Sequence, residues 1–292
     1  MTALQLIQNY RDNEKLRDSF FSLAKKTFDL QFEEWYEKGY WKDSYNCFSI
    51  VHGDKVVANV SGTELNLLIN GKSYKALQIG TVMTDPDYQG QGLSKQLMNA
   101  LLAHYEKEID IFYLFANETV LNFYTKFGFE KRDQSTYTVL AQDVKQKQST
   151  YRKLNINDHK DREFLFDIIK NRIPISSVFT TENAPSLVMF HCLNSYRDHI
   201  YYNEELQAAV IFEQQETKVV IYDIISKQSV SLLHVLATLK TKEVQQFELC
   251  FTPNNDIPLE KGEFIDTGAL FVKCREQVDY PNKVLYPYTS LA

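Results

Sequence analysis

The spacing of apolar residues changes several times along this chain, and each change predicts an element. Between residues 13 and 38, Phe20, Phe21, Leu23, Ala24, Phe28, Leu30, Phe32 and Trp35 recur at helical spacing, so the stretch reads as helical. Two β-type runs, 46–52 and 55–64, flank His52-Gly53-Asp54, a hairpin turn signal. A second hairpin is predicted at Asn70-Gly71, between 64–69 and 73–84. Leu93, Leu97 and Leu101, with Met98 and Leu102, form i,i+4 series that predict an amphipathic helix over 93–106. The run 109–116 is apolar enough for a central strand. A short helix over 120–127 stops at Gly128, and a last strand covers 134–141. Helices, antiparallel hairpins and then strand–helix–strand together predict a mixed α/β (α+β) unit, a central sheet flanked by helices.

The polar run 142–150 has no apolar periodicity and predicts a boundary between units 1–143 and 150–292. After it come strands predicted at 151–154, 199–203, 206–213, 218–225 and 244–251, with helices at 161–170 and 229–239. Strand 218–225, helix 229–239 and strand 244–251 repeat the order of 76–84, 93–106 and 109–116, so two tandem copies are expected. The copies differ at one point. The second connection, Ser226-Lys227-Gln228-Ser229, holds no glycine, and eight of the ten glycines lie in the first 128 residues. The second copy is therefore expected to be degenerate, without the glycine turn of the first.

Composition narrows the function. No run reaches the ~18 apolar residues of a membrane span, and the first ten residues lack the basic and apolar regions of a secretory signal. Cys47, Cys192, Cys250 and Cys274 are scattered, which fits free thiols in a reducing cytoplasm. His191-Cys192 is one adjacent pair rather than a metal-ligand spacing, so no metal is expected. A net charge of −6 without a basic cluster disfavours nucleic acid as a partner.

The chemistry concentrates in Val82-Met83-Thr84-Asp85-Pro86-Asp87-Tyr88-Gln89-Gly90-Gln91-Gly92-Leu93-Ser94, a strand running through a glycine turn into a helix. The unpaired N–H groups of a first helical turn and the helix dipole favour an anion there, and Gly90 and Gly92 let backbone approach a phosphate. The nucleotide P-loop spacing is absent, since Gly92-Leu93-Ser94-Lys95 is the wrong order. Lys95 stands where a dinucleotide fingerprint needs its third glycine.

Asp85–Leu93, followed by Asn117 and then Phe123-Tyr124-Thr125-Lys126-Phe127-Gly128-Phe129, strongly resembles the phosphate-binding and Asn…Tyr segments of the GNAT superfamily of N-acyltransferases. The resemblance covers about residues 1–141, and the doubled arrangement resembles the two-repeat branch that includes the enhanced-intracellular-survival acetyltransferases. Those carry a third, sterol-carrier-like domain that is not expected within these 292 residues, so their substrates are not carried over. Ser94 departs from the Gly or Ala of most members.

The resemblance implies a GNAT acyl-CoA N-acyltransferase fold in two tandem copies. It implies acetyl-CoA as cosubstrate and direct acetyl transfer to a primary amine of a small molecule. Val82, Met83 and Thr84 would bond the pantetheine arm, Gln89, Gly90, Gln91, Gly92, Leu93, Ser94 and Lys95 would hold the pyrophosphate, and Asn117 would bind the cofactor from the next strand. Tyr124 would be the general acid for the departing thiolate, its ordinary pKa near 10 standing close to a thiol's ~8.5. Candidates for the base are Glu64, Glu33, Glu34, a water relay, or a terminal carboxylate brought by the tail Tyr286-Pro287-Tyr288 to Leu291-Ala292. Trp35, Tyr36, Tyr40 and Trp41 would either wall the acceptor side or cap the core. A homodimer is open to the second unit. Rival readings are a non-catalytic acyl-CoA sensor and an aminoacyl-tRNA-dependent transferase, the latter disfavoured by the intact turn and the acidic charge.

Overall fold

A computed structural model describes residues 3–117, 120–265 and 268–291. The first strand, β1 (Leu4–Gln8), pairs with residues 48–52 and carried no alternation long enough to predict it. The helical stretch expected over 13–38 comprises two helices, α1 (Glu14–Phe28) and α2 (Glu33–Glu37). Asp29 closes α1 in the left-handed region, at φ 56°. The apolar spacing runs on through the break because both helices face the same core.

The hairpins form as expected: β2 (Tyr45–His52), β3 (Lys55–Ile69) and β4 (Lys72–Thr84). Asn70 and Gly71 both take positive φ, 49° and 78°, as a tight type I′ turn requires. Then come α3 (Leu93–Tyr105), β5 (Ile111–Asn117), α4 (Leu121–Tyr124) and β6 (Glu130–Arg132). Leu93, Leu97, Met98 and Leu101 of α3 pack on Phe48, Val60, Leu77 and Ile79 of the sheet.

The remaining elements are β7 (Ser135–Leu140), β8 (Arg152–Lys153), α5 (His159–Lys170), β9 (Phe179–Glu182), α6 (Pro185–Leu193), β10 (Ile200–Asn203) and β11 (Ala208–Gln215). They are followed by β12 (Lys218–Ser226), α7 (Leu232–Leu239), β13 (Gln246–Leu249), β14 (Glu260–Glu263) and β15 (Gly268–Cys274). One sheet runs β1-β2-β3-β4-β5-β15-β6, with β9 on the far end of β3; the other runs β14-β7-β13-β12-β11-β10-β8. Each sheet has one parallel pair, β4 with β5 and β12 with β13, crossed over by α3 and α7 respectively. Two α/β units in tandem result.

The units exchange strands. The strand expected to finish the first unit, β7, pairs instead with β13 and β14 of the second sheet. The gap it leaves between β5 and β6 is filled by β15, from the far end of the chain. Local sequence specifies a strand but not its partner, and β7 meets its alternation in either sheet.

An aromatic cluster joins the units. Phe20, Phe21, Phe32, Trp35, Trp41 and Tyr45 share one core with Phe190 of α6. Trp35 donates its Nε1–H to the Ser186 carbonyl of α6 at 2.7 Å.

Candidate active site

The β4–β5 ladder ends at Ile79 and Leu114, though both strands continue, to Thr84 and Asn117. The cause lies in β4. The register against β3 shifts between Asn59 and Ser61, and Thr81 stands at φ 44°, an uncommon conformation for a β-branched residue. The bulge turns β4 away from β5 and opens a wedge. A buried polar network holds it: Asn59 Nδ2 donates to the Thr81 carbonyl at 3.0 Å, the Thr81 hydroxyl to Ser61 Oγ at 2.7 Å, and Ser49 Oγ to Asn59 Oδ1 at 2.8 Å.

At the wide end sits the glycine turn. Asp85 caps a short 3-10 turn by accepting the Asp87 N–H at 3.1 Å. Burial works against its charge, but Lys55 at 3.0 Å and that backbone bond hold its carboxyl below the usual range. Gly90 and Gly92 stand at φ 76° and 75°, and a Cβ on either would meet nothing within 4 Å. Conformation, not crowding, selects glycine here, and the space in front of the turn stays open. Gly92 caps α3 without a side-chain bond, and the first helical bond runs from Gln96 N–H to the Gly92 carbonyl at 3.1 Å. The N–H groups of residues 93–95 therefore have no partner within the helix. The Ser94 hydroxyl ties the helix start to the strand end, 2.8 Å from Thr84 Oγ1.

Wedge and turn border one cavity of about 760 Å³. Val82, Met83, Thr84, Gln89, Gly90, Gly92, Leu93, Ser94, Lys95, Asn117 and Tyr124 all line it. Gln91 does not; it is exposed, between two left-handed glycines. The walls also include Tyr88 and Phe123 of the two segments that carry the resemblance, Leu291 of the tail, and Phe28, Leu30, Phe115 and Val120, which carried no signal beyond apolar character. Tyr124 is 4% exposed and packs on the rings of Phe123, Phe129 and Phe271. Burial pushes its hydroxyl up to about 12, away from the ordinary value assumed above.

Of the carboxylates considered as bases, Glu64 accepts the Tyr105 hydroxyl at 3.0 Å, Glu34 pairs with Arg197 and Lys38, and Glu33 begins α2. None of the three lines the cavity, and neither does any other carboxylate among the described residues. Ala292 lies outside the described residues, while Leu291 just before it forms part of the wall.

A second cavity, of about 80 Å³, adjoins the first and shares Leu30, Gly80, Thr81 and Leu291 with it. Phe32, Trp35 and Tyr45 line it together with Leu187, Phe190 and His191 of α6, and the Phe190 ring packs on those of Phe32 and Trp35, at 5.0 and 5.7 Å between centres. Of the four early aromatics, Trp35 thus belongs to a cavity wall. Tyr40 and Trp41 are buried in the core, and Tyr36 lies under the Arg17 guanidinium, 4.2 Å from its ring centre.

Residues 11–132 match the model of the acetyltransferase (GNAT) domain family. This stretch carries a GNAT domain. Among solved structures, the chain is similar to a probable N-acyltransferase from Enterococcus faecalis V583, with 17% identity over 94% of this chain and 73% of that one, at a TM-score of 0.62. It is also similar to Eis1 from Mycobacterium abscessus, with 14% identity over 92% and 73% of the two chains, at a TM-score of 0.60. These likenesses are of fold, and they extend over both units. A stretch of 53 residues is 45% identical to GCN5-related N-acetyltransferase 2, chloroplastic, from Arabidopsis thaliana, covering 18% of this chain and 20% of that protein. The chain thus matches about a fifth of the length of this curated relative.

The GNAT match ends at residue 132, with β6, yet the sheet of the GNAT domain is finished by β15. Lys273 of β15 donates to the Phe127 carbonyl at 2.9 Å and so caps the turn that follows α4. Among the described residues no helix is long and apolar enough to cross a membrane.

Proposed function

We propose that the protein transfers the acetyl group of acetyl-CoA to the nitrogen of a small primary amine, by direct attack in a ternary complex. The observation that carries this reading is the convergence of three features on one cavity: diverging strands, an open glycine turn at a helix start, and a buried tyrosine hydroxyl. The amides of residues 93–95 suit the pyrophosphate, and the exposed backbone edge of residues 82–84 suits the amide groups of pantetheine. The acceptor nitrogen bonds to the thioester carbon, the C–S bond breaks, and the amine loses one proton while the thiolate gains one.

Tyr124 sits where that thiolate forms in this reading. With its hydroxyl at about 12, proton transfer to a thiolate of ordinary pKa, ~8.5, would be uphill by roughly 5 kcal/mol. The same burial raises the thiol of a leaving group in the cavity and narrows the gap. Tyr124 therefore acts as a hydrogen-bond donor that releases its proton as charge builds on sulfur. In this reading the amine's proton leaves through a relay of waters. The second unit, without a glycine turn, serves as a wall of the acceptor side, and the protein works in the cytoplasm without a metal.

Calorimetric titration with acetyl-CoA, paired with a free-CoA release assay over a panel of amines, tests the reading. Binding with amine-dependent release is expected. Binding without release by any amine would favour an acyl-CoA sensor instead.

A further inference from the structure

We infer that the amine acceptor carries a short, uncharged aliphatic group, and that this group seats in the small cavity walled by Leu30, Trp35, Leu187 and Phe190. The inference rests on the transferase reading above and names the acceptor class for the same site.

Position comes first. The glycine turn lies beyond Thr84, and Gly80 and Thr81 lie at the narrow end of the wedge, where the strands separate. A pantetheine arm entering from the turn runs toward that end. Gly80 and Thr81 are also walls of the second cavity, so its mouth faces the place where the thioester would lie.

Chemistry comes second. Leu30, Phe32, Trp35, Leu187 and Phe190 give the cavity an apolar lining. No Asp, Glu, Lys or Arg among the described residues lines it. Both of its titratable rings are neutral at physiological pH: burial pushes the Tyr45 hydroxyl well above its usual value, and His191, bonded through Nε2 to the Leu291 carbonyl, is brought by burial down to about 4. Thr81 Oγ1 is engaged with Tyr45 at 3.0 Å, and the buried wall atoms without a partner among the described residues, Thr63 Oγ1 and His191 Nδ1, are uncharged. A polyamine or aminoglycoside placed here would bring extra ammonium groups to a wall without counter-charge, at a large desolvation cost.

Size comes third. A volume of about 80 Å³ is nearly three times the ~30 Å³ share of one water, room for a group of three or four carbons. A benzene ring occupies engineered cavities of ~150 Å³. The walls come from both units, α2 and β2 of the first and α6 with the tail of the second, so the second unit would help select the acceptor.

The test is a CoA-release assay with acetyl-CoA and a set of amines: isopentylamine, methylamine, phenethylamine, spermidine and kanamycin. Isopentylamine is expected to exceed spermidine and kanamycin in kcat/KM by at least about tenfold, the selectivity a small hydrophobic pocket supplies. Leu187→Phe fills the cavity and should remove that advantage, and Leu187→Ala should shift preference toward phenethylamine; calorimetry with acetyl-CoA reads whether each variant is folded. Titration of isopentylamine into the protein with CoA present reads the pocket without turnover. Loss of that binding in Leu187→Phe would uphold the pocket even if no amine released CoA, which would sink only the transferase reading. Preference for spermidine or kanamycin would overturn the inference. So would a Leu187→Phe effect on isovaleryl-CoA relative to acetyl-CoA with amine preference unchanged, which would assign the cavity to the acyl group.

Discussion

The ring of Phe271 lies 5.8 Å from that of Tyr124, tilted by 44°. These residues are far apart in sequence. Phe271 belongs to the strand that the second half of the chain inserts between β5 and β6, and it is 2% exposed. The tyrosine proposed to meet the leaving group is thus held by a strand from outside the GNAT match.

From this it follows that residues 1–143 expressed alone will not form the site. Without β15, β5 and β6 lose their shared partner and the Tyr124 ring loses Phe271. An unpaired apolar edge of this kind favours aggregation. The expected outcome is an aggregating or acetyl-CoA-blind fragment, rescued by co-expression with residues 144–292. A soluble monomeric fragment that binds acetyl-CoA as tightly as the whole chain would refute the dependence.

What the sequence disclosed depended on whether the deciding interaction is local. Asn70-Gly71, the glycine turn and the face of α3 announce themselves within a few residues, and they lie where expected. Helix α6 does not: Leu187, Val188, Met189, Phe190, Cys192 and Leu193 are all buried, so it has no polar face to give it a period. Its place in the second cavity was hidden with it. The partner of β7 was unreadable for another reason, since alternation fixes which side chains point inward and not which sheet receives them. The perturbed hydroxyl of Tyr124 depends on packing by Phe129 and by Phe271 of β15 as well as by its neighbour Phe123, and has no signature at its own position.

Tyr124→Phe removes the proposed donor while keeping the ring. A loss of about 100-fold to 10,000-fold in kcat, with acetyl-CoA affinity within about twofold, is expected for a general acid. The pH profile gives a sharper reading. The hydroxyl is raised to about 12, so the donor stays protonated through the range where an ordinary tyrosine ionises, and activity should hold its plateau to about pH 11. A decline centred near pH 10 in the wild type and absent in Tyr124→Phe would contradict the buried environment.

Gly92 and Gly39 make a controlled pair. Both stand at φ 75°, and a Cβ on either meets nothing within 4 Å. Alanine at either therefore costs the left-handed strain alone, about 1–2 kcal/mol. Only Gly92 fronts the cavity. Thermal denaturation should show similar losses for Gly92→Ala and Gly39→Ala, whereas calorimetry should show weaker acetyl-CoA binding for Gly92→Ala only. Gly92→Glu, which adds a negative charge at the helix start, should abolish binding. Unaltered affinity in Gly92→Glu would remove the pyrophosphate from this turn.

The tail offers a way to disturb the acceptor side and leave the cofactor side alone. Asp223 is fully buried and receives both Arg172 Nη atoms at 2.7 Å, the Ile224 N–H at 2.8 Å and the Thr289 hydroxyl at 2.5 Å. Through Thr289 this buried ion pair anchors the segment that ends at Leu291, whose carbonyl meets His191. Asp223→Ala would strand the buried Arg172 charge at a cost of about 3–5 kcal/mol and confound the result by unfolding. Thr289→Val is the better probe, because it keeps the shape, leaves the ion pair intact and deletes one hydrogen bond, worth about 1.5–3 kcal/mol to a charged acceptor. Hydrogen exchange should quicken at residues 288–291 in this variant. KM for the amine should rise several-fold, while acetyl-CoA affinity stays within about twofold, since the glycine turn lies at the other end of the wedge. Equal losses for both substrates would show that the tail supports the whole cleft and not the acceptor side alone.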